Sequence, residues 1–319
     1  MITSEWPTQA RPYWAGFIVQ QVEFLQKQGV DIDVIPFRGA KNPVNYVRAW
    51  YRVHKRLRQS TYDLIHAQWA QSALIALPTR LPLVVTFRGG ETDGIVGSGG
   101  KYTVIGRILR FVSWIVAIRA DELVLVSGHM QRHLSQRSCH ILPSGLDFSQ
   151  LPLMSQDAAR KQLGLPVSKR LVLFVGNPAE PRKRYAFARE IVSQLNSEVE
   201  LVLAWGVPHK EIPVYMNACD ALLVTSIYEG SPNVVKEALA CNLPIVSVAV
   251  GDIPERLNGV DGCSVHPDND PDRMAAALGT VLRRKERTNS RPTVRHLDEN
   301  ILARRMTEIY RKALSKREY

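Results

Sequence analysis

Cysteine is scarce in this sequence: Cys139, Cys219, Cys241 and Cys263 lie far apart among 319 residues. No two have the C-x-x-C spacing of a redox or zinc motif, and nothing suggests a disulfide framework, so a reducing compartment fits. Cys219 and Cys241 stand among apolar neighbours and read as small buried hydrophobes. Long hydrophobic runs are missing too. The longest, Tyr102–Ile118, is interrupted by Arg107 and Arg110, whereas a membrane span needs about 20 largely uncharged residues. The N-terminus has no basic stretch followed by an apolar one, so no leader is expected. There is no H-E-x-x-H motif. Of the Asp-x-Asp matches, Asp31-Ile32-Asp33 opens a strand and Asp268-Asn269-Asp270 leads into a helix, and neither follows a strand at a phosphate loop. No metal site and no cofactor are expected. Acidic residues are in deficit, 30 against 41 Lys and Arg, and residues 1–150 carry more than half of the net charge of +11. Such a surface attracts anions of many kinds, but no nucleic-acid recognition motif accompanies it, so no nucleic-acid partner is expected.

What is present is an ordinary globular composition, 45% hydrophobic and 22% charged, long enough for two domains of about 150 residues. Short β-branched runs alternate with helical patterns. Strands are expected at Asp31–Phe37, Asp63–Gln68, Leu83–Phe87, Glu122–Ser127 and His140–Pro143, then at Leu171–Gly176, Glu200–Ala204, Ala221–Thr225, Ile245–Val248 and Cys263–His266. Helical patterns between them include Phe17–Gln28, Val44–Gln59, Thr103–Ile118, Tyr185–Leu195, Val234–Ala240 and Pro271–Arg284. This alternation predicts an α/β chain with two Rossmann-like domains, parallel sheets and a cleft between their carboxyl ends. Residues 1–150 form the first domain, 151–298 the second, and 299–319 a C-terminal helix that crosses back to the first. Only Met1–Ser4 is available for the first strand, which is therefore either incomplete or a short edge strand. The polar run Arg283–Asn300 reads as a mobile connection.

The most informative segment runs from Thr225 to Ala240. Gly230, Ser231, Pro232 and Asn233 follow an apolar strand and open a helix. Free amides at a helix start carry partial positive charge and suit a diphosphate. Glu229 and Glu237 bracket that site, and carboxylates accept hydrogen bonds from sugar hydroxyls. This segment resembles glycosyltransferase family 4, with Glu229 and Glu237 matching its E-x7-E motif. The resemblance extends through Val172–Gly176, Ala218-Cys219-Asp220, Glu237–Cys241, Leu243–Val246 and Val250-Gly251-Asp252. Its form is similar to the branch acting in bacterial cell-surface polysaccharide synthesis, including teichuronic-acid-type transferases.

The resemblance implies the GT-B fold of two facing Rossmann-like domains and transfer with retention of anomeric configuration. It implies a nucleotide-diphosphate sugar as co-substrate and a glycan or polyprenyl-linked acceptor. Glu229 would touch the donor sugar and Glu237 the ribose, while backbone amides from Gly230 through Ser231, Pro232 (which has none), Asn233, Val234 and Val235 would hold sugar and phosphate. Lys183 matches the family's lysine for the leaving diphosphate. Asn177 stands where relatives carry an arginine, and either Arg182 or Arg184 supplies that charge. Arg88 stands where many relatives carry histidine. It cannot act as a base at neutral pH, but suits a phosphate or acidic sugar. Gly16 matches a glycine that admits the donor phosphate or the acceptor. His129 and Glu91 are acceptor-side candidates, whereas His66 reads as a packed structural histidine.

Arginines and aromatic residues on Val44–Arg58 and Thr103–Ile118 fit either an anionic membrane surface or a solvated face backed by core. The expected location is cytoplasmic, peripheral on the inner face of the plasma membrane under the first of these readings. Two other functions remain open: a non-catalytic nucleotide-sugar-binding or scaffold protein of a polysaccharide assembly complex, and a nucleotide-sugar epimerase of the same fold.

Overall fold

The computed structural model describes residues 1–10, 12, 14–39, 42–89, 91, 103–134 and 138–316. Gly90, Tyr102 and Arg317, which belong to segments read above, lie outside the described residues. The chain divides into two compact units, one of Met1–Gly145 with the chain from Glu299, the other of Leu146–Asp298.

In the first unit, β1 (Ile2–Thr3), β2 (Ile35–Pro36), β3 (Ile65–Gln68), β4 (Leu83–Phe87), β5 (Glu122–Leu125) and β6 (His140–Ile141) form a sheet in the order β2-β1-β3-β4-β5-β6. All its pairings are parallel. The first strand is short but is not an edge. Ile2 pairs with Ile35 on one side and Ala67 on the other, so β2 and β3 satisfy both of its backbone edges. Alternate residues of the central strands point to opposite faces. Val84 and Val124 pack with Phe24 and Leu25 of α1 (Gly16–Lys27) and with Leu302, Met306 and Ile309 of the C-terminal helix Glu299–Ser315. Val85 and Leu125 pack on the other face with Val53 of α2 (Pro43–Gln59), Ala73 of α3 (Ala70–Leu74) and Val116 of α4 (Val104–Arg119). Full burial of each such aliphatic side chain contributes roughly 1.5–3 kcal/mol.

Helix α4 carries two apolar sets. Val116 and Ala117 face the core, whereas Val104, Ile108, Phe111, Trp114 and Ile118 are each 50–73% exposed. Their spacing of three and four residues places them on one outward stripe. Helix α2 is split in the same way, with Ala49 and Val53 buried and Val47 and Tyr51 outside. No described helix is long and apolar enough to cross a membrane.

The second unit contains α5 (Gln156–Leu163), β7 (Arg170–Val175), α6 (Tyr185–Ser193), β8 (Val199–Ala204), α7 (Ile212–Ala218), β9 (Ala221–Val224), α8 (Asn233–Ala240), β10 (Ile245–Val248), α9 (Ile253–Leu257), β11 (Ser264–His266) and α10 (Pro271–Arg284). Its parallel sheet runs β11-β10-β9-β7-β8. Leu171 and Leu173 pack beneath α7 and α8, and Val172 and Phe174 beneath α6 and α10. Strand order reverses between β7 and β9, which pair directly through Val172 with Ala221 and Leu173 with Leu222. Loops leaving the carboxyl ends of strands at such a reversal diverge to opposite faces and open a crevice for ligands.

One expectation about a polar segment needs correction. Arg283–Asn300 is packed, not mobile. Arg291 donates to Ala240 O at 2.6 Å and Leu151 O at 2.8 Å, Ser290 Oγ donates to Leu239 O at 2.9 Å, and Val294 and Leu297 are buried. Its polar side chains satisfy the carbonyls that α8 leaves open at its end. Asp270 has a comparable local role, accepting from Asp272 N at 3.0 Å and Arg273 N at 3.3 Å to cap α10.

Candidate active site

The two strands at the reversal each deliver a loop. After β7, Gly176 takes a positive φ of 144°, and a side chain there would meet the Lys183 stem at 3.5 Å. Asn177 Oδ1 accepts from Ala179 N at 2.9 Å, so this side chain builds the turn. A short 3-10 turn, Pro181–Lys183, then reaches the loop leaving β9. Thr225 Oγ1 donates to Lys183 O at 2.8 Å, and Ile227 N donates to Arg182 O at 2.9 Å, which ties the two loops together.

Lys183 Nζ lies 2.6 Å and Arg182 Nη1 2.8 Å from the same Glu229 oxygen. Arg182 also holds Glu180 at 2.8 Å. Burial pushes the Glu229 carboxyl up, but the charges of Lys183 and Arg182 outweigh it and hold the group below its ordinary range. Arg184 goes elsewhere. It adopts a left-handed backbone with φ of 51°, donates through Nε to Thr225 O, and reaches Asn269 Oδ1 at 2.7 Å. Of the two arginines named as alternatives for the charge absent at Asn177, Arg182 is the one beside Glu229.

Gly230, Ser231 and Pro232 carry the chain into α8, which begins without a side-chain cap. Asn233 Oδ1 is buried with no hydrogen-bond partner among the described residues, Val234 is partly buried, and Val235 is packed in the core. The loop after β10 braces this segment. Asp252 N donates to Gly230 O at 3.3 Å, and Arg256 links Asp252 Oδ2 at 2.6 Å with Ser231 Oγ at 3.3 Å. Gly251 has φ of 59°, and a Cβ there would stand 2.7 Å from the carbonyl oxygens of both Glu229 and Gly230.

Glu237 lies on the second turn of α8, with its side chain only 9% exposed. Its Oε1 meets His209 Nε2 at 2.9 Å. The sequence reading did not single out His209. Its only local signal was its place after Pro208 on the connection leaving β8. The hydrogen bond and charge of Glu237 raise the imidazole pKa above its usual value, against the opposing effect of burial.

The other candidates belong to the first unit. Arg88 leaves β4 in a polar network, donating to Gln68 Oε1 at 2.9 Å, Ser144 Oγ at 2.7 Å and Gln21 Oε1 at 3.1 Å, with Phe17 and Trp69 against its guanidinium. Burial lowers its pKa to about 10 despite Glu91, Glu299 and Glu5, so it stays charged at neutral pH. Glu91 is buried and accepts from Arg88 N at 2.6 Å, which makes it a cap for that loop. His129 Nδ1 lies 2.7 Å from Ser127 Oγ. Gly16 opens α1, and a side chain there would meet nothing within 4 Å. His66 is held between Tyr310 Oη at 2.6 Å and Thr86 Oγ1 at 2.8 Å, and burial keeps its pKa well below the usual value.

The family model described as Glycosyltransferase Family 4 matches residues 3–150, and the one described as Glycosyl transferases group 1 matches residues 169–284. A Bacillus subtilis (strain 168) protein named as a teichuronic acid biosynthesis glycosyltransferase, TuaC, is 25% identical over 89% of this chain and 88% of its own length. Among solved structures, sucrose-phosphate synthase from Thermosynechococcus elongatus superposes with a TM-score of 0.80 at 17% identity, covering 94% of this chain and 93% of that one. HepE of Anabaena, in complex with UDP-glucose, gives a TM-score of 0.67 at 18% identity, covering 90% of this chain and 88% of that one. These structures share the GT-B fold of two parallel-sheet Rossmann-like domains.

Proposed function

Because the chain belongs to the glycosyltransferases, with a family 4 first part and a group 1 second part, we propose that it is a retaining enzyme using a nucleoside-diphosphate sugar. Its acceptor is a glycan or polyprenyl-linked glycan of cell-surface polysaccharide synthesis, a reading supported by the likeness to TuaC. One observation carries the donor assignment: Arg182 and Lys183 converge on Glu229 where the strand order reverses, in the loop that leads into α8.

The bond from the anomeric carbon to the diphosphate breaks, and negative charge grows on the leaving group. Lys183, Arg182 and the amides at the start of α8 meet that charge. Cations and amides supply the neutralisation, so the reaction as proposed needs no metal. Glu229 holds the two cations in place and accepts from the donor sugar, while Glu237 accepts from the ribose. The acceptor hydroxyl attacks from the face the diphosphate leaves, and its proton passes to a diphosphate oxygen. The protein's remaining task is to hold two substrates in reacting geometry.

A lipid-linked acceptor would bring the enzyme to an anionic bilayer, and the exposed apolar stripe of α4, flanked by Arg107, Arg110 and Arg119, is the surface proposed to meet it.

The decisive assay follows nucleoside diphosphate released from UDP-, GDP- and ADP-sugars with and without polyprenyl-linked acceptors, in EDTA. Release that depends on acceptor and persists in EDTA is expected. Release without acceptor would point to an epimerase, binding without release to a scaffold, and loss of release in EDTA would defeat the metal-free step.

A further inference from the structure

His209 is the described side chain bonded to the Glu237 carboxylate, through Nε2 and Oε1 at 2.9 Å. The second oxygen of Glu237 makes no hydrogen bond among the described residues. The two partners differ in access: the Glu237 side chain is 9% exposed and that of His209 is 52%. The histidine therefore covers the acid from the solvent side and fixes one of its oxygens.

Its own placement is fixed as well. The connection from β8 to β9 crosses β7, because β7 lies between those strands in the sheet. Val207 on that connection and Val234 on the first turn of α8 pack on the same core cluster. Pro208 precedes His209 with φ of −55°, and the short turn His209–Glu211 runs directly into α7. The imidazole is thus held by a braced turn rather than by a free loop.

We propose that His209 is a positioning residue for the nucleotide: by donating to Oε1 it sets the plane of the Glu237 carboxylate so that Oε2 accepts from a ribose hydroxyl. The proposal rests on the reading of Glu237 as the ribose ligand. A carboxylate free to rotate binds a diol poorly, because its rotamer has to be ordered when the ligand arrives. One clamped by a charge-assisted bond is ordered beforehand. The histidine would then act on affinity for the ribose and on nothing else in the donor.

The test compares the nucleoside diphosphate, among UDP, GDP and ADP, that raises the melting temperature most with its 2′,3′-dideoxy analogue, by calorimetry on the full chain. The wild type should favour the ribonucleotide. His209→Ala should weaken ribonucleotide binding about tenfold, the scale of one hydrogen bond to a charged group, leave the dideoxy analogue unchanged, and raise KM for the donor more than it lowers kcat. His209→Gln, which keeps a donor to Glu237, should recover most of the affinity. Equal losses on both ligands, or no loss on either, would overturn the role of His209 alone. A wild type that binds both ligands equally, or binds none of the three diphosphates, would overturn the reading of Glu237 on which it rests.

Discussion

Arg182, Lys183 and Arg184 are consecutive cations with different destinations. The first two meet Glu229, while the third turns away through a left-handed residue to Thr225 and Asn269. Lys183→Ala and Arg182→Ala should each lower kcat by about 10²-fold or more, the scale seen when a group facing charge in the transition state is removed, with small changes in melting temperature. Arg184→Ala should do the reverse, lowering melting temperature while leaving kcat within a few-fold. Matched kcat and melting measurements check this, and a fully active Lys183→Ala enzyme would take Lys183 out of the site. The sequence shows the basic run but not this sorting, because the sorting depends on one backbone turn. Arg88 makes the same point. Its position at a strand end was legible, but its partners Gln21, Gln68 and Ser144 come from three distant segments. His209 was missed for that reason also: 28 residues separate it from Glu237.

At the scale of elements, the strands with continuous apolar runs were legible to within a residue or two. Leu83–Phe87 and Ile245–Val248 appear with their expected bounds. Strand order was not, since periodicity says nothing about which strands pair. The interior place of β1 and the reversal between β7 and β9 come from the structure. Loop packing also escapes periodicity, and glycines expose it. Gly251→Ala would force a Cβ against two backbone carbonyls at 2.7 Å while keeping a left-handed φ of 59°. It should cost about 1–3 kcal/mol and weaken nucleotide binding, because the carbonyls it strikes belong to Glu229 and Gly230. Gly16→Ala enters open space at a helix start and should leave melting unchanged. Equal melting curves for the two variants would refute the close approach at Gly251.

For the whole molecule, the formal net charge of +11 and the outward stripe of α4 give the membrane proposal its test. The wild type should float with vesicles containing phosphatidylglycerol at low salt and less so as salt screens the attraction. Phe111→Ser with Trp114→Ser should stay with the free protein while retaining its melting temperature, because both side chains are exposed. A wild type that floats at neither salt concentration would end the membrane reading.

The path of the chain carries a consequence for biosynthesis. Leu146 N donates to Leu297 O at 2.8 Å, so the polypeptide enters and leaves the second unit side by side. That unit is an insertion within the first, whose final helix starts only at Glu299. On the ribosome, Val84, Val124 and Leu142 must wait for Leu302, Met306 and Ile309 while the whole of residues 146–298 is made. At translation rates of about 5–20 residues per second, that wait lasts roughly 8–30 s. The half begun first is finished last, so nascent chains are most prone to aggregate through a sheet face that is already built but covered only by α1.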